Sequence, residues 1–243
     1  MKKVDFKNGA NKISAIVMYP DILKEQNPAL LVIHGWRSAK ERYPDRVKDI
    51  VEKGFIALIL DLPGHGESEG DISTMIRKDY VGGVISAYDY LLSLSSVDKN
   101  RIGVEGSSFG GYLAILLSAK RDVKWLALKN PANYPDIGEN EPQMSVPNII
   151  YKGHKGIWGE QPLNVSENTA IKALSEYKGE ILLMQSEKDE IIPKQTFINY
   201  LSAIRDKSRL THAVIKDADH RTSDPKWEKE YIKIHTEWFA SKV

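Results

Sequence analysis

The sequence predicts an α/β protein: a mainly parallel sheet with helices on both faces, entered by an antiparallel hairpin. Three observations predict it. Short aliphatic and β-branched runs alternate with segments of helical period along most of the 243 residues. Two of those runs, "ALLVI" and "FIALIL", are continuously apolar, as strands buried on both faces are. Between the first two runs lies Asn8-Gly9, a dipeptide suited to the positive φ angles of a hairpin turn.

Each element has its own signal. Val4 and Phe6 alternate with polar residues, and "KISAIVMY" completes the hairpin. After "ALLVIHG", Val47, Ile50 and Val51 lie at helical spacing in "YPDRVKDIVEKG", with Gly54 as its C-cap. "FIALILD" is the next strand, and "KDYVGGVISAYDYLLSL" carries Val81, Val84, Ile85, Tyr88, Leu91 and Leu92 along one stripe of a helix. The strand "RIGVEG" then runs into the helix "FGGYLAILLSAK". Strands "VKWLALKN" and "EILLMQSE", helix "PKQTFINYLSAIR", strand "THAVIKD" and helix "PKWEKEYIKIHTEWFA" follow. Residues 131–179 break the alternation. They are rich in Pro and Gly, hold scattered aromatics including Tyr134 and Trp158, and show one helical stretch from Glu167 to Tyr177. A connection of that length after a strand end predicts a lid-like insert within a single domain spanning 1–243.

Composition excludes several classes of function. Thirty-four basic and 33 acidic side chains leave a net charge of +1, which offers no broad basic field to nucleic acid, anionic lipid or strongly charged substrates. The absence of cysteine removes disulfides, thiolate nucleophiles and Cys-based metal sites, and no His or carboxylate spacing matches a metal motif, so neither metal nor cofactor is expected. The basic opening "MKKVDFKNGANK" is not followed by an apolar stretch, and no run is long enough to span a bilayer. These features predict a cytoplasmic protein without a membrane partner, compatible with a monomer or a homo-oligomer.

Chemistry enters at Gly106-Ser107-Ser108-Phe109-Gly110, a Gly-x-Ser-x-Gly pattern placed where a strand ends and a helix begins. Such an elbow lifts the central serine, Ser108, above the sheet, and its glycines permit tight packing. A serine hydroxyl needs a base for its proton, and the base needs an acid to hold it. Later strand ends supply both: His220 follows "THAVIKD", and Asp189 follows "ILLMQSE". Glu187, Glu190 and Asp217 compete with Asp189 as the acid, whereas Asp219 adjoins His220 too closely to reach its far nitrogen. His34 and His65 lie in loops near these strand ends and read as loop-shaping residues. Glu105 reads as a partnered structural charge, and His212 and His235 as structural residues of a strand and a surface helix.

With these residues in register, the sequence resembles the α/β-hydrolase superfamily over nearly its whole length. "VIHGW" resembles that family's oxyanion loop, "LDLPGHGESEG" its loop after the next strand, and "GSSFGG" its nucleophile elbow. Among the branches, the chain is most similar to small feruloyl- or cinnamoyl-esterase-like hydrolases and to serine-aminopeptidase-like hydrolases. The resemblance implies an oxyanion hole formed by the backbone N–H groups of Trp36 and Phe109. The expected activity is hydrolysis of a small neutral ester with a short-chain or hydroxycinnamoyl-like acyl group, through an acyl-enzyme on Ser108. Trp36, Tyr134 and Trp158 are expected to touch substrate. Two alternatives stand beside it: an amidase or aminopeptidase using the same triad, with Glu139, Glu141 and Glu160 available to an amine, and a catalytically silent binding protein of the same fold.

Overall fold

A computed structural model describes residues 1–146 and 160–243 of the chain. Eight strands form one sheet: β1 (Lys2–Asn8), β2 (Asn11–Met18), β3 (Asn27–Ile33), β4 (Ile56–Leu60), β5 (Val97–Ser107), β6 (Trp125–Lys129), β7 (Glu180–Ser186) and β8 (Leu210–Ile215). Their spatial order is β1-β2-β4-β3-β5-β6-β7-β8. β1 pairs antiparallel with β2, and β2 antiparallel with β4, while every later pairing is parallel. The expected architecture holds, with the hairpin turn one residue later than Asn8-Gly9: Asn8 ends β1 opposite Asn11, and Gly9, whose φ is 59°, makes the turn with Ala10.

Six α-helices lie among the described residues: α1 (Pro44–Glu52), α2 (Arg77–Ser93), α3 (Phe109–Ser118), α4 (Thr169–Glu176), α5 (Lys194–Ala203) and α6 (Pro225–Ala240). Because successive strand side chains point to opposite faces, each central strand feeds two cores. Ala29, Leu31 and Ile33 of β3, with Ile56, Leu58 and Leu60 of β4, pack under α2, α3, α4 and α5. Leu30, Val32, Ala57 and Ile59 pack on the other face, under α1 and α6. The two continuously apolar runs are therefore the strands with both faces covered. α3 is buried from Phe109 to Leu117, which explains why its sequence is apolar all round.

The 131–179 segment contributes no strand of the sheet among its described residues. It adds 3₁₀ turns at 136–138 and 165–167 and the helix α4, slightly shorter than the stretch expected from sequence. Asn168 caps α4 by accepting from the Ile171 amide, and it also donates to the Tyr134 carbonyl, tying the helix to the start of the segment. No helix among the described residues is long and apolar enough to cross a membrane.

Two charged clusters lie inside the fold. The Lys40 ammonium, almost wholly buried, sits 2.6 Å from Asp61, 2.7 Å from Glu67 and 2.9 Å from Glu41. Asp61 also accepts from the amides of Lys40 and Glu67, so this one carboxylate fixes the loop after β4 to the loop after β3. The three carboxylates are close enough together to hold a metal ion, but lysine already fills that position. In the second, Glu105 faces His235 at 3.1 Å and accepts from the Tyr231 hydroxyl. Burial opposes its ionisation, but His235, Tyr231 and Arg46 together hold its carboxyl below the usual range. His235, expected on a surface helix, is fully buried because α6 turns that face onto the sheet.

Candidate active site

β5 ends at Ser107, and Ser108 turns the chain into α3 with φ 54° and ψ −115°, an uncommon conformation for a residue with a Cβ. Neighbours hold it there. The Ser108 amide donates to Lys129 O at 2.9 Å, and Ser108 O accepts from the Tyr112 and Ala132 amides. The flanking glycines are sterically required, since a Cβ at Gly106 would collide with the Gly110 carbonyl and one at Gly110 with Ile33 O.

His220 arrives on the loop after β8 and Asp189 on the loop after β7. His220 Nε2 lies 3.1 Å from Ser108 Oγ, and His220 Nδ1 lies 2.7 Å from Asp189 Oδ2. The other carboxylate oxygen, Oδ1, accepts the Ile191 amide at 2.9 Å and the Ile192 amide at 2.7 Å. The competing acids are engaged elsewhere. Glu190 accepts the His220 amide, Glu187 the Asp217 amide, and Asp219 the Ser223 amide, while Asp217 pairs with Lys188.

Asn130, which sequence reasoning passed over, ties these parts together. It stands just beyond β6 with φ 44°, donates its backbone amide to Met184 O, and exchanges side-chain bonds with Ser186 at the end of β7. Its Nδ2 also donates to His220 O at 2.9 Å. Its signal in sequence was slight: an asparagine directly after a strand and before Pro131, in a position open to a left-handed residue.

The loop after β3 places Trp36 beside the elbow. Gly35 lies close against the elbow: a Cβ there would stand 3.3 Å from Ser107 O and 3.5 Å from the Ser108 Cβ. Among the described residues, neither the Trp36 nor the Phe109 amide has a protein acceptor, and Phe109 is the first residue of α3, where helical amides have no intrahelical partner. The Trp36 indole packs edge-on against His65, Tyr80 and Phe109, and the Tyr134 ring packs against Phe109 and Tyr112. Both side chains line a cavity of about 580 Å³ that also contains Ser108 and His220. Trp158 lies outside the described residues. Glu139 and Glu141 are exposed and do not line the cavity.

His34 shapes the loop after β3. Its Nε2 accepts from the Leu62 amide at 3.0 Å while Nδ1 donates to Gly35 O at 2.7 Å, a pairing that requires neutral imidazole. Burial pushes its pKa down to about 4. Unfolded His34 titrates near 6.5, so between these values the unfolded chain binds the extra proton and stability falls as pH drops. The contribution lost across that window is about 3 kcal/mol. Urea-unfolding midpoints measured from pH 6.5 to 4.5 should decline more steeply for the wild type than for His34→Gln; equal slopes would contradict the assignment.

Comparison with known proteins gives the family. The prolyl oligopeptidase family matches residues 45–243, the greater part of the chain. The chain belongs to that family. Among curated relatives it is 32% identical over 158 residues to the uncharacterized protein YcjY of Escherichia coli, covering 60% of this chain and 51% of that protein, so the chain spans about half the length of this relative. Among solved structures, Est1E from Butyrivibrio proteoclasticus with bound ferulic acid has a TM-score of 0.74 at 19% identity, covering 98% of this chain and 96% of that one. A monoacylglycerol lipase from Paleococcus ferrophilus has a TM-score of 0.69 at 18% identity, covering 95% and 99%. At such identities the structural likeness establishes the α/β-hydrolase fold, and membership of the prolyl oligopeptidase family supports a serine hydrolase built on it.

Proposed function

We propose that the chain is a single-domain carboxylesterase-type serine hydrolase in which Ser108, His220 and Asp189 form the catalytic triad. The observation that carries this reading is the unbroken pair of contacts from Ser108 Oγ to His220 Nε2 and from His220 Nδ1 to Asp189. Ser108 attacks the ester carbonyl as its proton passes to His220, and Asp189 holds the imidazole in the tautomer that can accept it. The Trp36 and Phe109 amides point to the oxyanion as donors, with the N-terminus of α3 adding its partial positive charge. His220 returns the proton to the departing alcohol. Water, activated by the same imidazole, then releases the acid from Ser108. No step calls on a metal or an organic cofactor.

Substrates of this reading are esters with short-chain or aromatic, hydroxycinnamoyl-like acyl groups. The aromatic wall of Trp36 and Tyr134 supports a flat or small acyl group, and the lid expected over 131–179 is represented at the cavity by Tyr134, Gln143 and Met144, its residues 147–159 lying outside the described ones. Amide cleavage is the second reading, favoured by the family to which the chain belongs.

Two measurements test the proposal together. A fluorophosphonate probe should label Ser108, which a silent binding protein of the same fold would not allow. Nitrophenyl esters should then show a maximum at short chain length, with methyl ferulate hydrolysed and an aminoacyl nitroanilide turned over poorly. Each buried methylene is worth about 0.8 kcal/mol, so a pocket that ends early forgoes nearly fourfold in binding per added carbon. A long-chain maximum would refute the small pocket, and a preference for the nitroanilide would establish the peptidase reading.

A further inference from the structure

The cavity beside Ser108 is charged in a way that the chain's net charge of +1 conceals. Arg37, Arg42, Arg46, Lys129 and Arg221 line it, and no Asp or Glu does. Arg46 is paired, with Glu228 at 2.6 Å. Among the described residues the other four cations have no carboxylate at ion-pair distance, and residues 147–159 contain neither Asp nor Glu to supply one. Two of these groups meet around Tyr231. The Arg46 guanidinium lies over the Tyr43 ring and 6.0 Å from the centre of Tyr231, and the Lys129 ammonium lies 4.9 Å from the same Tyr231 ring. Lys129 donates to the Thr222 hydroxyl at 3.0 Å. Arg42 adjoins Tyr43 and Arg221 adjoins Thr222 in the chain. Ser108 and His220 line the same cavity as these cations.

Lys129 is the informative member. Its side chain is only 3% exposed, yet a lysine is almost never buried unless it has a charged partner. Burial, with repulsion from Arg46, pushes its pKa down to about 8, so it still carries most of its charge at pH 7. Glu228, Glu105 and Asp219 act on it from beyond ion-pair distance, Glu228 through the shared Thr222 hydroxyl, so a direct anionic partner for this buried cation is what a ligand can provide.

We propose that this basic end receives a carboxylate or phosphate carried by the substrate, so that the enzyme prefers anionic monoesters to neutral esters of the same shape. The inference rests on the serine hydrolase reading above and adds the charge of its substrate. It also revises the expectation, drawn from net charge alone, of a neutral ester.

The test uses matched pairs followed by pH-stat titration at pH 7. Monomethyl adipate against methyl hexanoate places the anion on the acid part, and 3-acetoxybenzoate against phenyl acetate places it on the alcohol part. In at least one pair the anionic member should have a kcat/KM at least tenfold higher, expressed mainly in KM and diminished by added salt. Lys129→Met and Arg42→Gln should each reduce that ratio at least threefold. If Lys129→Met fails to fold, the exposed Arg42 on the cavity rim carries the comparison. A ratio of one or less in both pairs, or a ratio unchanged in the variants that fold, overturns the proposal while turnover of the neutral esters leaves the hydrolase reading in place. Failure to turn over any of the four esters also overturns it, and Ser108 labelling then decides whether the hydrolase reading falls as well.

Discussion

Ser108→Ala is expected to lower kcat for an ester substrate by about five to six orders of magnitude while leaving the fold intact. The size of the loss follows from removing the only atom that forms the covalent intermediate; what remains is binding and the oxyanion donors. The intact fold follows from local geometry. The Ser108 side chain makes no cap hydrogen bond to α3, and among the described residues its hydrogen bond is with His220. Alanine has the same Cβ and suffers the same strain at φ 54°, so the backbone cost is present in both proteins. A thermal midpoint within a few degrees of wild type, together with lost turnover and lost probe labelling, is the expected combination. Retained turnover in a folded variant would dispose of the mechanism.

Asp189→Asn is expected to cost about four orders in kcat with little change in KM. The argument depends on the two amides that Asp189 already serves. Ile191 and Ile192 both donate to Oδ1, so an asparagine must keep its carbonyl oxygen there and turn its NH₂ towards His220. His220 Nδ1 then has to accept, which moves the imidazole proton to Nε2 and presents a donor to Ser108 Oγ. The nucleophile loses its base although no heavy atom need move. Glu190→Gln supplies the contrast: Glu190 touches only the His220 backbone amide, and its loss should be far milder. If Glu190→Gln or Glu187→Gln proved the more damaging, Asp189 would not be the acid.

These residues were legible because the elbow and the two later strand ends announce themselves locally: glycines around a serine, an acid after one apolar run, a histidine after the next. The strands β3 and β4 were legible for a similar reason, since burial on both faces leaves an uninterrupted apolar run. Other features were hidden because they arise only when distant segments meet. Lys40, Asp61 and Glu67 read in sequence as three unremarkable loop charges, and only the packing of two loops makes them a buried cluster. His235 looked solvent-facing because α6 is dense in charged residues, yet the fold directs that position at Glu105. The basic end of the cavity is the clearest case. Its arginines and lysine come from the loop after β3, from α1, from β6 and from the loop after β8, so neither a composition nor a linear motif reveals their convergence.

The position of Asn130 also bears on how much the remainder of the protein is free to vary. If the base were placed from the acid, and the nucleophile from the base, small errors in each loop would add along the series. Here residues 129–132 hold the elbow through Lys129 O and the Ala132 amide, while Asn130 holds the end of β7 and the His220 loop. All three parts of the proposed triad are thus measured from one shared datum, and an error in one is not inherited by the next. Loops that touch only the cavity wall lie outside this system of measurement, so a new pocket shape can be drawn without redrawing the distances among the reacting groups.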